Sequence, residues 1–328
     1  MRSFRRELEI LKKNILKILL FIFIIILIII CLSNVLIPKN NTRESGIHYY
    51  EASGLLAEPE NTIDMIVVGD SEPYTSISPM ELWNQYGYTS YTCSSLEAKL
   101  YETVQILSKV KDKQKPKVLL MEVGYLYRKT KLPDAIEATL QTLIPAWEYH
   151  DRWKKLTAED FTSKAEYNEI NDLKGYHYTN QEEGCAEEDI MEYHDYYEPS
   201  PIPRANKLYF KLIKWYCEKN GIKLIGVRVP TMRDWNYATY LGIKKFLERE
   251  NIEYWDMNMS KDEVKIDWST DTKDGGGHLN HKGAIKVTKS IGKWLNKKNI
   301  LPDHRQEKEY SNWHKSYERY LEIVSQGT

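Results

Sequence analysis

Ile63-Asp64-Met65-Ile66-Val67-Val68-Gly69-Asp70-Ser71 is the stretch whose reading decides the fold. Its apolar run is short, rich in β-branched residues and closed by glycine, which suits a strand buried on both faces of a parallel sheet. Working outward, Pro79-Met80-Glu81-Leu82-Trp83-Asn84-Gln85-Tyr86 reads as a helix with proline at an early position. A second apolar strand is expected over 117–123, introduced by Lys115-Pro116. Between the two strands, Leu96, Leu100, Val104 and Leu107 recur at helical spacing, so a helix is expected over 96–110. Strands over 222–229 and 252–257 follow helices over 205–218 and 237–250, and a last helix over 284–296 follows Gly275-Gly276-Gly277. Strands alternating with helices predict an α/β domain with a parallel sheet covered on both faces.

The segment 131–203 breaks this rhythm. It is acidic and rich in tyrosine, as in Glu187-Glu188-Asp189, and has no apolar strand of comparable strength. It reads as an insertion over the C-terminal edge of the sheet, helical around 134–153. Ligands of open α/β sheets bind at that edge, so the insertion is a lid, a partner surface or a solvated excursion. The tail after Pro302 spaces Tyr310, Trp313, Tyr317 and Tyr320 through charged residues, as an amphipathic terminal helix does.

At the N-terminus, 15–36 is almost wholly apolar, interrupted only by Lys17 and by Ser33-Asn34. About 20 apolar residues cross a hydrocarbon core. The run exceeds the apolar region of a signal peptide, and Leu36-Ile37-Pro38-Lys39 offers no small-residue cleavage site. It is read as a retained anchor. Arg2, Arg5, Arg6, Lys12, Lys13 and Lys17 precede or open it, which predicts a cytoplasmic N-terminus and an extracytoplasmic remainder at the cell membrane. The expected organisation is therefore a basic arm over 1–14, a transmembrane helix over 15–37, a polar linker over 38–60, an α/β domain over 61–300 and a helical tail over 301–328.

A net charge of −1 gives no electrostatic case for nucleic acid as a partner. The 24 tyrosines and 9 tryptophans suit a glycan-binding surface or ordinary packing. Outside the membrane run only Cys93, Cys185 and Cys217 remain; these allow one bridge at most and match no metal site. No phosphate-cradling motif is present, since Gly275-Gly276-Gly277 lacks the strand and Lys-Ser/Thr of a P-loop. Neither cofactor nor metal is expected.

Two separated motifs carry the chemistry. Gly69-Asp70-Ser71 directly follows the first strand, where a serine stands at the sheet's C-terminal edge beside a helix start. Near the far end, Asp271-Thr272-Lys273-Asp274-Gly275-Gly276-Gly277-His278-Leu279-Asn280 precedes the last helix. A serine, a histidine base and an orienting carboxylate are the parts of nucleophilic catalysis. Each motif alone is common; their joint placement on an α/β frame is what points to Ser71 and His278.

These motifs resemble the SGNH/GDSL hydrolase superfamily, and more closely its membrane-anchored DltD-like branch. The resemblance rests on Val68-Gly69-Asp70-Ser71, Leu82-Trp83-Asn84-Gln85-Tyr86-Gly87, Ser90-Tyr91, Lys115-Pro116-Lys117-Val118 and the 271–280 loop, and spans about 60–298 without the insertion. It implies a three-layer α/β/α flavodoxin-like parallel sheet, with Ser71 as nucleophile and His278 as base. The family's acid lies three residues before the histidine, which here is Gly275; Asp274 takes the role, with Asp271 as the alternative. Where the family has a GxND block the chain has Glu122-Val123-Gly124-Tyr125, and the second-block glycine is unmatched in Thr92-Cys93-Ser94-Ser95.

The resemblance further implies a serine esterase or O-acyltransferase acting on acyl esters of an envelope polymer or acylated glycan, with a multipass membrane acyltransferase as partner. The alternative is a non-catalytic scaffold of the same fold. Glu122 is read first as a structural hydrogen-bonding group. His150, Arg152, Trp153, Lys174 and His177 are read as insertion surface, and Asn280 and His281 as turn and cap of the last helix.

Overall fold

The computed structural model describes residues 2–188, 190–191 and 198–327, so Asp189 and 192–197 of the insertion lie outside the described residues. The chain forms two compact units, one of Met1–Ile47 with Ile136–Tyr167 and the other of His48–Ala135 with Asn168–Thr328.

In chain order, helix α1 spans Arg2–Leu36 and strand β1 Met65–Gly69. Helices α2 (Ser71–Ser76) and α3 (Pro79–Tyr86) precede β2 (Ser90–Ser94). Then come α4 (Leu100–Val110), β3 (Val118–Glu122), α5 (Leu132–Leu143) and α6 (Arg204–Asn220). The series ends with β4 (Lys223–Arg228), α7 (Tyr237–Arg249), β5 (Glu253–Asp256), α8 (His281–Lys298) and α9 (Ser311–Gln326).

The five strands are parallel, in the order β2-β1-β3-β4-β5. This is the flavodoxin-like order, whose ligands sit beyond the carboxyl ends of the strands. Alternate side chains of each strand feed two cores. Ile66, Val68, Leu119 and Met121 pack with α4, α6 and α7, whereas Met65, Val67, Leu120 and Val227 pack with Val287, Ile291 and Leu295 of α8. Helices therefore cover both faces, as the apolar strands require.

Strand β2 is the element that hydropathy hides. Ser-Tyr-Thr-Cys-Ser reads as polar, yet every residue is buried. Tyr91 and Cys93 fill one core, while Thr92 Oγ1 donates to Ile77 O at 3.3 Å on the other side. Helix α4 starts four residues later than the leucine spacing suggests. The Glu102 carboxylate accepts from Lys99 N at 2.9 Å and fixes the start there, leaving Leu96 outside and exposed.

The stretch expected as a linker over 38–60 differs in its second half. Residues Tyr50–Ser53 and Gly54–Ala57 form short helical turns, and Leu55 is wholly buried in the core of the α/β unit. Glu58 meets Lys174 at 2.7 Å in a fully buried pair, so Lys174 ties the domain together and lines no pocket. Burial pushes the Glu58 carboxyl up, and Lys174 opposes that shift.

The insertion divides. Its portion 136–167 belongs to the unit that contains α1. Its later portion runs along the carboxyl edge of the sheet, with His177 N bonded to Tyr74 O (2.8 Å), His281 N to Thr179 O (2.8 Å) and Glu183 N to Thr272 O (3.0 Å). The tail folds as the amphipathic helix α9, burying Trp313 against Trp83 with ring centroids 5.5 Å apart.

In the other unit, α1 carries one segment, Glu9–Leu36, long and apolar enough to cross a membrane, with a mean hydropathy of 3.5. Three short helical turns, Pro145–Glu148, His150–Lys155 and Ala158–Thr162, gather at its C-terminal end. His150, Arg152 and Trp153 thus lie in this unit.

Candidate active site

Gly69 makes the turn into α2 feasible. A Cβ there would lie 2.5 Å from Pro73 Cγ and 2.9 Å from Glu122 Cβ, so only glycine lets the helix fold back against the end of β1. Asp70 caps that helix, its Oδ1 accepting from Glu72 N at 3.2 Å. Ser71 is thereby set at the first helical position, at the carboxyl edge of the sheet.

His278 arrives from a tight loop closed by the antiparallel bridge Thr272↔Leu279. Gly275 and Gly276 adopt φ of 69° and 97°, in the left-handed region that glycine tolerates. Thr272 Oγ1 donates to His278 O (2.9 Å) and accepts from Gly276 N (2.8 Å), pinning the reversal from inside.

The two motifs meet across 207 positions of sequence. Ser71 Oγ lies 2.7 Å from His278 Nε2, and His278 Nδ1 lies 2.5 Å from Asp274 Oδ2. The other Asp274 oxygen accepts from His278 N at 2.8 Å, so one carboxylate holds both ring and backbone of the histidine. Asp271, the alternative acid, is engaged elsewhere: it is buried, accepts from Asp267 N at 2.7 Å and pairs with Lys286 at 2.5 Å. Asn280 caps α8 through Lys282 N and Gly283 N. His281 opens that helix, its Nδ1 3.2 Å from Tyr176 OH; burial lowers its pKa. His177 stacks on Tyr74 with ring centroids 4.9 Å apart, and its pKa is lowered by burial and by Lys273.

Around the serine turn lies a charge cluster that the sequence reading did not assemble. Arg228 is buried at the end of β4 and bonds Glu122 Oε1 at 2.8 Å and Glu72 Oε1 at 2.9 Å, with the Trp235 ring 4.5 Å away. Glu122 also accepts from Gly124 N at 2.9 Å, and Arg128 Nε bonds Asp70 Oδ2 at 2.6 Å. Burial, reinforced by the Asp70 charge, pushes the Glu122 carboxyl well above the usual range; burial likewise lowers the Arg228 pKa. Asp70, Glu72 and Glu122 present oxygens within 4.8 Å of one another, a spacing that a cation could use. Two guanidinium groups already bond all three carboxylates, so the donor set is supplied with positive charge by the chain itself. The sequence signals were a lone arginine closing an apolar strand and a glutamate directly after Ser71.

Ser94 ends β2 in register with Gly69. Its buried Oγ has no hydrogen-bond partner among the described residues.

No family model and no curated protein matches the chain. Among solved structures it is similar to a GDSL-like lipase from Bacteroides thetaiotaomicron VPI-5482, with 9% identity, a TM-score of 0.40, and 76% of this chain and 98% of that one covered. It is also similar to a candidate acylhydrolase from Bacteroides fragilis NCTC 9343 (12% identity, TM-score 0.36, 76% of this chain and 95% of that chain). A third is a candidate lipolytic protein of the G-D-S-L family from Desulfitobacterium hafniense DCB-2 (12% identity, TM-score 0.35, 70% and 98%).

Proposed function

We propose that the protein is a membrane-anchored serine acyl hydrolase or O-acyltransferase working through Ser71, His278 and Asp274. The observation that carries this is the unbroken chain of contacts from Ser71 Oγ through the His278 ring to Asp274. With Asp274 on Nδ1, the neutral ring keeps its proton there and leaves Nε2 free to take the serine proton. Ser71 Oγ then attacks the ester carbonyl, the alcohol leaves with the proton from His278, and water or a second hydroxyl takes the acyl group. The Ser71 N–H, free of an intrahelical partner at the first helical position, is one donor to the developing oxyanion.

The span Glu9–Leu36 and its basic flank support an extracytoplasmic domain tethered to the cell membrane. In that position acyl esters of envelope polymers are the substrates within reach, and the motif resemblance favours a multipass acyltransferase as the source of the acyl group. The test is hydrolysis of an aryl ester and labelling by a serine-directed phosphonate, using the full chain in detergent. Ser71→Ala is expected to abolish labelling and lower turnover by at least about 1,000-fold. A wild-type protein inert in both assays would instead be a scaffold that keeps the fold.

A further inference from the structure

The short turns at the end of α1, and the end of α5 that leads into them, leave large apolar side chains in the open. Leu143, Trp147, Trp153 and Phe161 are 71%, 49%, 64% and 66% exposed, all within the one small unit. We infer that this unit is a lipid-facing collar: its turns lie in the membrane interface around the end of the anchor, with these four side chains in contact with lipid. The inference rests on the reading of Glu9–Leu36 as a membrane span.

The depth follows from the helix. Twenty residues at 1.5 Å each match a hydrocarbon core of about 30 Å. Counted back from Asn34, the first polar residue pair at the outer end, that length reaches Ile15, where the apolar run begins. Ser33 therefore stands at the outer hydrocarbon boundary. The collar is fastened at that level, because Ala146 N donates to Ser33 Oγ at 3.1 Å, and Trp147 is the next residue.

Arg152 locks the rest to the helix end. Its guanidinium donates to Leu36 O at 2.5 Å, to Ser45 O at 2.8 Å and to Asp160 Oδ1 at 2.8 Å, satisfying a terminal carbonyl that the helix leaves open. The Asp160 carboxyl is held below its usual range: burial opposes this, and the hydrogen bonds from Thr157 and Arg152 outweigh it. With both ends fixed, the turns cannot swing away from the membrane surface. Tryptophan and phenylalanine are the residues an interface selects, since their rings partition to headgroup depth. In water the same four side chains would be an unexplained apolar surface. Continuity with the span names the occupant as lipid.

The experiment uses the full chain in vesicles of phosphatidylcholine and phosphatidylglycerol. A nitroxide is placed at Trp147→Cys or Phe161→Cys in a background with Cys31 and Cys185 replaced by serine; Cys93 and Cys217 are buried. Collision with oxygen is compared with collision with a water-soluble nickel chelate. Native Cys31, exposed in the span and labelled in a separate protein in which only Cys185 is replaced by serine, is the lipid reference, and Leu208→Cys on α6, 62% exposed, is the aqueous one. The oxygen-to-nickel ratio at 147 and 161 is expected several-fold above that at 208. Ratios equal to that at 208, with Cys31 lipid-like, overturn the collar alone; an aqueous Cys31 overturns the anchor with it. Exclusion of both reagents means a protein covers the face, a second copy or a partner, and also overturns it. Should the cysteine variants not fold, quenching of tryptophan by brominated lipid decides. The quenchable fraction in wild type should fall in W147F/W153F, and an unchanged fraction refutes the inference.

Discussion

Asp274→Asn keeps the shape of the 271–280 loop and turns one acceptor into a donor. The amide oxygen can still accept from His278 N, which now sits 2.8 Å from Asp274 Oδ1. The amide nitrogen then faces Nδ1, in a contact now 2.5 Å long. Two donors cannot share that line, so the ring moves its proton to Nε2, the nitrogen 2.7 Å from Ser71 Oγ. The base is then occupied on the side where it must be empty. The imidazolium formed during attack also loses its counter-charge. Together these effects lower kcat by about 10,000-fold, or about 5.5 kcal/mol of transition-state stabilisation, with KM nearly unchanged because Asp274 touches no substrate. The assay is steady-state aryl-ester hydrolysis by the full chain, with the rate of phosphonate labelling as a second readout. Asp271→Asn is the control: its carboxylate serves Lys286 and Asp267 N, so stability falls and activity per folded molecule holds. An Asp274→Asn enzyme within ten-fold of wild type, or an inactive but folded Asp271→Asn enzyme, would refute the assignment.

Two further perturbations test the surroundings. Arg228→Met strands the buried Glu122 and the nearly buried Glu72 without their cation, and breaking such a pair costs about 3–5 kcal/mol; denaturant unfolding in detergent should show a loss of that size, and a loss under about 1 kcal/mol would mean the cluster relaxes freely. His281 has a pKa below its ordinary 6.5 because burial penalises the charged ring, so the unfolded chain binds more protons as pH falls. Its contribution is complete above 6.5 and is lost as pH drops through the lowered folded value; thermal melts between neutral and mildly acidic pH should therefore flatten in His281→Gln, and an unaltered slope would dismiss the linkage.

How much of this was legible follows from what each signal depends on. β1, β3 and β4 announce themselves because a strand buried on both faces must be apolar along its length, as Met65 to Val68 and Val118 to Met121 are, whereas β5, Glu253–Asp256, is a half-buried edge strand marked by its Tyr-Trp pair. β2 does not, because serine and threonine at 90, 92 and 94 are small enough to be buried and hydrogen-bonded there. Ser71 and His278 were readable since each stands at a fixed place on the frame, one after the first strand and one before the last helix. The choice of Asp274 over Asp271 was not settled by spacing alone. It depends on the reversal at Gly275 and Gly276, and on Lys286 drawing Asp271 away. The C-terminal half of the linker and the division of the insertion were illegible for a related reason. Tertiary partners decide both: Leu55 fills the core, and Arg152 finds the carbonyl of Leu36.

The buried charges near Ser71 show why the departure at the end of β3 is not a local matter. Where the resembled family carries an amide-bearing block, this chain has Glu122, wholly buried. A carboxyl in that position needs a donor, and Arg228 supplies one from the neighbouring strand. A buried guanidinium in turn needs more than one acceptor, and its second is Glu72, the residue directly after Ser71. Asp70, directly before Ser71, is held in the same way by Arg128. The serine is thus bracketed by two carboxylates whose positions are set by arginines from elsewhere in the fold. Removing Glu122 alone would leave Arg228 half-paired in a dry site, and removing Arg228 alone would leave two acids facing each other. Glu72, Glu122 and Arg228 can therefore be exchanged together with modest cost to the fold, whereas any one of them exchanged singly disturbs the turn that presents Ser71.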